Sequence, residues 1–100
     1  MSDEVISTSF GKFLISPQDL IGSTLKADTL WDGPGFLQPI AIEHGRLGEA
    51  GVTILDIGAN IGSFSVWLAS RFAWRVIAVE PVPETMRYLK ANIDLNKSFC

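Results

Sequence analysis

The sequence predicts an α/β fold, the N-terminal part of a doubly wound parallel sheet. A βαβα unit is preceded by a hairpin and short helices. Three observations predict it. Val52–Ile57 and Arg75–Glu80 are short runs rich in β-branched residues, the pattern of strands buried on both faces. Between them, Ile61, Phe64, Ser65, Leu68 and Phe72 recur at the spacing of one helix face. After the second run, Met86, Leu89 and Ile93 form another such stripe. A strand-helix-strand-helix alternation of this length winds into a parallel sheet.

The elements before that unit are more weakly marked. From Val5 to Ile15 the residues alternate loosely around Phe10-Gly11-Lys12-Phe13. Glycine followed by any residue between two β-prone runs predicts a type II′ hairpin at Gly11. Ser16-Pro17-Gln18-Asp19 predicts a helix start, with Ser16 as the cap and Pro17 at the first helical position. Leu20, Ile21, Thr24 and Leu25 supply its apolar face. Trp31-Asp32-Gly33-Pro34-Gly35 is a loop, since glycine and proline together interrupt any regular element. Phe36 to Leu47 then carries Phe36, Leu37, Ile40, Ala41, His44 and Leu47 at helical spacing, and glycines at 48 and 51 stop it. The organisation expected is a lead-in over residues 1–50 and the first half of a cofactor-binding domain over 51–100. A strand flanking that of Glu80 is expected beyond Cys100, so the chain reads as the N-terminal portion of a longer enzyme. Otherwise its apolar sheet edge is exposed.

Composition narrows the class. The chain has 100 residues, 47% apolar and 19% charged, with formal charge −3. This size supports one small core, burying roughly 60–70% of the unfolded surface. The acidic balance and scattered Lys and Arg oppose a nucleic-acid partner, which asks for a basic stripe. The acidic start Met1-Ser2-Asp3-Glu4 is no secretory signal. The most apolar window, Phe64 to Val79, is interrupted by Arg71 and Arg75 and is too short to span a bilayer. A single cysteine, Cys100, cannot form an internal disulfide. The expectation is a cytoplasmic protein with a small-molecule partner and no membrane, no nucleic acid and no metal.

Ligands of open α/β sheets sit beyond the carboxyl ends of the strands. Asp56-Ile57-Gly58-Ala59-Asn60-Ile61-Gly62 ends the first strand, and Glu80-Pro81 ends the second. Gly58 and Gly62 permit a sharp turn and a close approach of backbone to ligand. Asp56 suits an ammonium group, held directly or through water. Asn60 tolerates a left-handed backbone and both donates and accepts hydrogen bonds. The helix opening near Ile61 is expected to aim unsatisfied amides at the same place. Glu80 lies 24 residues after Asp56, the spacing at which an acid accepts the hydroxyls of a ribose. A dinucleotide fingerprint instead needs Gly-x-Gly-x-x-Gly, and Asn60 stands where its second glycine belongs. A phosphate loop needs a lysine that is missing after Gly62. The best ligand for this turn is S-adenosyl-L-methionine.

Ile54 to Ser65, Ala78-Val79-Glu80-Pro81-Val82-Pro83-Glu84 and Leu89 to Asn96 together resemble a class I S-adenosylmethionine-dependent methyltransferase. More narrowly, they resemble the FkbM-type family, whose glycine turn reads Asp-x-Gly-Ala-Asn-x-Gly and whose second strand ends Glu-Pro-x-Pro. The resemblance covers about residues 52–96. It implies a Rossmann-like fold and O-methylation of a hydroxyl on a sugar or natural product. It also implies methionine-moiety contacts around Asp56, Gly58 and Asn60, and ribose contacts from Glu80. Ala59, Gly62 and Pro81 complete the cofactor-binding set. Two alternatives stay open, a non-catalytic truncated fragment and a segment of an NAD-dependent oxidoreductase. No catalytic base is identifiable. His44, the only histidine, sits on a helix before the first strand and reads as structural. Trp67 and Trp74 read as packing residues, and Trp31 as the candidate for a substrate entrance.

Overall fold

A computed structural model describes residues 2–30, 37–46, 51–72 and 74–97. Trp31, the glycine-proline loop around it and Cys100 lie outside the described residues. The element order is β1 (Glu4–Thr8), β2 (Gly11–Ile15), α1 (Leu20–Lys26), α2 (Leu37–Arg46), β3 (Thr53–Ile57), α3 (Ser63–Phe72), β4 (Arg75–Val79) and α4 (Pro83–Leu95). β1 and β2 form an antiparallel hairpin, while β3 and β4 run parallel with Asp56 opposite Ala78. The chain is therefore α/β, with the βαβα unit expected from the strand and helix periodicities.

The hairpin turn lies two residues before the place expected. Thr8 pairs with Gly11, so Ser9 and Phe10 make the turn and Gly11 begins the strand. The Thr8 hydroxyl accepts from the amides of Phe10 and Gly11 at 3.2 and 3.1 Å, an ST-type turn that needs no glycine. Gly11 is small for another reason. A Cβ there would stand 2.6 Å from Asn96 Oδ1 and 2.9 Å from Val66 Cγ1, so close helix packing sets that residue.

α1 also starts later than the capping pattern suggested. Asp19, not Ser16, is its cap and accepts from the Ile21 amide at 2.9 Å. Pro17 falls in the preceding turn, which Ser16 closes by accepting from the Asp19 amide at 3.1 Å. A carboxylate is as good a cap as a hydroxyl and adds charge at the positive end of the helix dipole. At the other end Asp28 takes a left-handed backbone, φ 58°. Its carboxylate accepts from the amide and hydroxyl of Ser9 at 2.8 and 2.9 Å, tying the hairpin tip to α1. α4 opens on Pro83, where a missing N–H costs nothing.

Two apolar clusters hold these pieces together. The first joins hairpin, helices and the turn after β3 through Phe13, Ile15, Leu25, Ile61, Val66 and Tyr88. The second gathers Leu30, Ala41, Trp67, Leu68 and Trp74. Phe72 stacks on Trp74 at 4.4 Å and meets Trp67 edge-on at 5.6 Å, so Trp67 and Trp74 are packing residues, as expected. Each fully buried large side chain contributes roughly 1.5–3 kcal/mol of transfer free energy.

The parallel strands are not buried on both faces, contrary to their β-branched composition. Along each, alternate residues are exposed: Leu55 by 58%, Ile57 by 73%, Ile77 by 44% and Val79 by 41%. The intervening Ile54, Asp56, Val76 and Ala78 face inward, where Ile54 and Val76 pack against the second cluster. Composition registers that a strand is suited to a two-sided environment. It does not say whether these residues supply both sides.

A polar seam joins α4 to the hairpin. Asn92 and Asn96, both fully or almost fully buried, read the edge of β2 as another strand would. The Asn92 amide accepts from Leu14 N at 2.5 Å and donates to Leu14 O at 3.2 Å. Asn96 accepts from Lys12 N at 3.0 Å and donates to Lys12 O at 2.7 Å. The match is geometric. Four helical residues advance about 6 Å, and two strand residues advance about 6.6 Å.

Candidate functional site

The end of β3 turns back on the end of β4. Gly58 and Ala59 both donate to the Val79 carbonyl, at 2.8 and 3.0 Å. That double bond requires a reversal no residue with a Cβ makes easily, and Gly58 has φ 76°. Nothing lies within 4 Å of the place its Cβ would take, so backbone conformation alone demands glycine. At Gly62, φ is 97° and a Cβ would also come 2.9 Å from Leu89 Cδ1. Both conformation and space apply there.

Between the glycines Asn60 is left-handed, φ 56°, a conformation asparagine tolerates better than most residues. Two contacts fix it. The buried Glu80 carboxylate accepts from the Asn60 amide through Oε1 at 2.8 Å, and from the Val82 amide through Oε2 at 3.1 Å. The Asn60 side chain turns forward and accepts from the Ile61 amide at 2.9 Å. Gly62 N donates to Ala59 O at 3.0 Å.

Every amide from Gly58 to Gly62 is thus engaged within the protein. Of the helix-start amides expected to aim at a ligand, those of Ile61 and Gly62 are taken inside the turn by Asn60 and Ala59. In a phosphate-binding nest these N–H groups point at the anion. Here Val79, Glu80, Asn60 and Ala59 take them.

Asp56 projects from β3 onto α3, where its Oδ2 accepts from the Ser65 hydroxyl at 2.5 Å. Ser65 is 5% exposed and Asp56 is half-buried. The bond fixes the carboxylate beside the turn. Ser65 was visible in the sequence only as a member of a helical stripe. Its position one turn into α3, facing an acid at a strand end, is the signal that could have found it.

The residues expected to hold the cofactor thus come together in part by direct bonds. Glu80 touches Asn60, and Gly58 and Ala59 touch the end of Glu80's strand. Asp56 is drawn instead to Ser65. Ala59 is buried and Pro81 exposed, with Pro81 spacing Glu80 from the amide of Val82. His44 is exposed on α2 and lines an apolar cavity of about 310 Å³ with Ile40, Ile54, Phe64 and Trp74. Among the described residues no group of three His, Cys, Asp or Glu is placed to hold a metal. No described helix is long and apolar enough to cross a membrane.

Farther along α4, the Tyr88 hydroxyl donates to Asp3 at 2.8 Å. That bond raises the phenol's pKa above its ordinary value, with burial adding to the shift. Arg87 lies over the Tyr88 ring and pairs with Glu84 at 2.9 Å. Its pKa is raised by the hydrogen bond and charge of Glu84.

Fold and turn define an α/β domain with a glycine turn at the carboxyl end of its first parallel strand. The family described as the TRM5/TYW2 methyltransferase domain matches residues 42–98, more than half of the chain, and the chain belongs to it. The match runs from within α2 to beyond α4, and so contains the whole turn and Glu80. A curated relative, the AMB antimetabolite synthetase AmbE of Pseudomonas aeruginosa, is 39% identical over 59 residues, or 58% of this chain and 3% of that protein. The chain spans a small fraction of the length of the relative it matches. No solved structure matches it.

Proposed function

We propose that the chain binds S-adenosyl-L-methionine at the turn from Asp56 to Gly62 and that its methyl group goes to a hydroxyl oxygen on a sugar or natural product. The observation that carries this is the pair of carboxylates at neighbouring strand ends, Asp56 held by Ser65 and Glu80 held by the amides of Asn60 and Val82. Two acids repel a diphosphate and attract a cofactor with a cationic amine and sulfonium. Carboxylates at both strand ends suit the same cofactor. Asp56 stands where it can draw the ammonium. Glu80 keeps lone pairs beyond its two backbone bonds and can accept from ribose hydroxyls. Methyltransferase family membership supports the donor.

The finer likeness to FkbM-type enzymes rests on the Asp-x-Gly-Ala-Asn-x-Gly turn and Glu-Pro-x-Pro strand end. It points to oxygen as the acceptor atom. The relative's name, an antimetabolite synthetase, is in keeping with a natural-product acceptor. S-adenosylmethionine supplies an activated methyl on sulfur. The chain's own residues contribute position, holding the donor so that an oxygen can approach in line at about 3–3.5 Å. The same residues form the cofactor half of such a site.

A calorimetric titration with S-adenosylhomocysteine and with NAD tests this. Binding of the first, lost in Glu80→Ala, supports it. Preference for NAD overturns it.

A further inference from the structure

Asn92 does more than dock the hairpin. Its side chain is 0% exposed, and its second N–H donates to the Ile61 carbonyl at 2.7 Å. Ile61 lies between left-handed Asn60 and Gly62, at the apex of the turn. Its side chain, 2% exposed, packs into the same cluster as Phe13 and Ile15 of β2. Hairpin and turn are therefore joined twice, by an apolar contact and by one amide that bonds both backbones.

We propose that Asn92 is a positioning residue that couples the N-terminal hairpin to the cofactor turn, so that the hairpin sets the turn's geometry. The inference rests on the turn being the cofactor site. Its chemistry follows from what one primary amide can do. The carboxamide has two donors and one acceptor oxygen. One donor and the oxygen are used on Leu14 and the other donor on Ile61. Peptide planarity then carries any displacement of Ile61 O to the amide of Gly62. The neighbouring Asn96 provides a built-in control. It makes the same kind of bonds to Lys12 and donates to Asn92 O at 2.7 Å, but it bonds to no residue of the turn.

The test compares wild type, Asn92→Ala and Asn96→Ala at a temperature where all are folded. Both substitutions lower the thermal midpoint. Only Asn92→Ala should weaken S-adenosylhomocysteine binding, by about tenfold, the scale of one lost buried hydrogen bond. In ligand-free protein only Asn92→Ala should speed amide exchange at Asn60 and Gly62. Equal effects of the two substitutions on affinity and exchange, or no effect of Asn92→Ala on either, would overturn the coupling. If wild type does not bind S-adenosylhomocysteine, the proposed function fails and amide exchange alone decides the coupling. Should Asn92→Ala not fold, wild-type exchange decides it. Leu14, Asn60 and Gly62 must then open as one cooperative unit, and separate openings would contradict the coupling.

Discussion

Replacing Glu80 by alanine removes the acceptor of two backbone N–H groups at once, those of Asn60 and Val82. A hydrogen bond to a charged acceptor contributes about 1.5–3 kcal/mol net, so the intact clamp is worth about 3–6 kcal/mol. Asn60 is only half-buried and Val82 is exposed, so water replaces part of each bond. The loss should be about 2–4 kcal/mol. A domain of this size has a total stability of roughly 5–15 kcal/mol, so the change is large. Urea unfolding followed by the fluorescence of buried Trp67 and Trp74 measures it directly. Glu80→Gln is the sharper control. Its amide keeps one oxygen but turns an NH2 toward the other donor, so it should lose about half as much. A loss below about 1 kcal/mol for Glu80→Ala, with Asn60 still left-handed by backbone chemical shifts, would refute the clamp.

Other consequences follow from the same geometry. Gly58→Ala meets open space and should cost only the left-handed strain, about 1–2 kcal/mol, whereas Gly62→Ala adds a 2.9 Å contact with Leu89 and should cost more by thermal denaturation. Ser65→Ala should raise the dissociation constant for S-adenosylhomocysteine, because Asp56 loses the hydroxyl that orients it; Ser65→Thr, which keeps the hydroxyl, should restore affinity if the role is positional. Tyr88 is the only tyrosine, so tyrosinate absorbance reports it alone. Its folded pKa is raised above 10.0, chiefly by the bond to Asp3, so its stabilisation is complete below pH 10 and is lost as pH rises through the folded pKa. Tyr88→Phe should remove that pH dependence. Ile57→Lys places a charge on a residue that is 73% exposed; it should change stability by less than about 0.5 kcal/mol and reduce self-association in sedimentation.

Much of the fold was legible because its signals are local. The βαβα unit is written in β-branched runs and helical stripes, and the two glycines and Asn60 announced their left-handed turn. What the sequence hid was tertiary. Gly11 looked like a turn residue, but its smallness answers to Asn96 and Val66, which lie far along the chain. Ser16 looked like a cap, but it closes the turn before the helix, and Asp19, three residues later, caps the Ile21 amide. Asn92 and Asn96 sit in a polar-looking helix, and only the hairpin's edge explains why they are buried. The amides at the helix start were expected to be free because helix starts usually leave them so. Those of Ile61 and Gly62 are taken within the turn by Asn60 and Ala59, while Val79 and Glu80 take those of Gly58, Ala59 and Asn60 from the neighbouring strand end, pairings no periodicity records.

The central claim is that this turn is shaped for a methyl donor rather than a diphosphate. The most direct measurement is calorimetric titration of the wild-type chain with S-adenosylhomocysteine and with NAD under identical conditions. Under that claim, saturable binding of S-adenosylhomocysteine, abolished by Glu80→Ala, and no binding of NAD are expected. Tighter binding of NAD, or S-adenosylhomocysteine binding indifferent to Glu80, would contradict it.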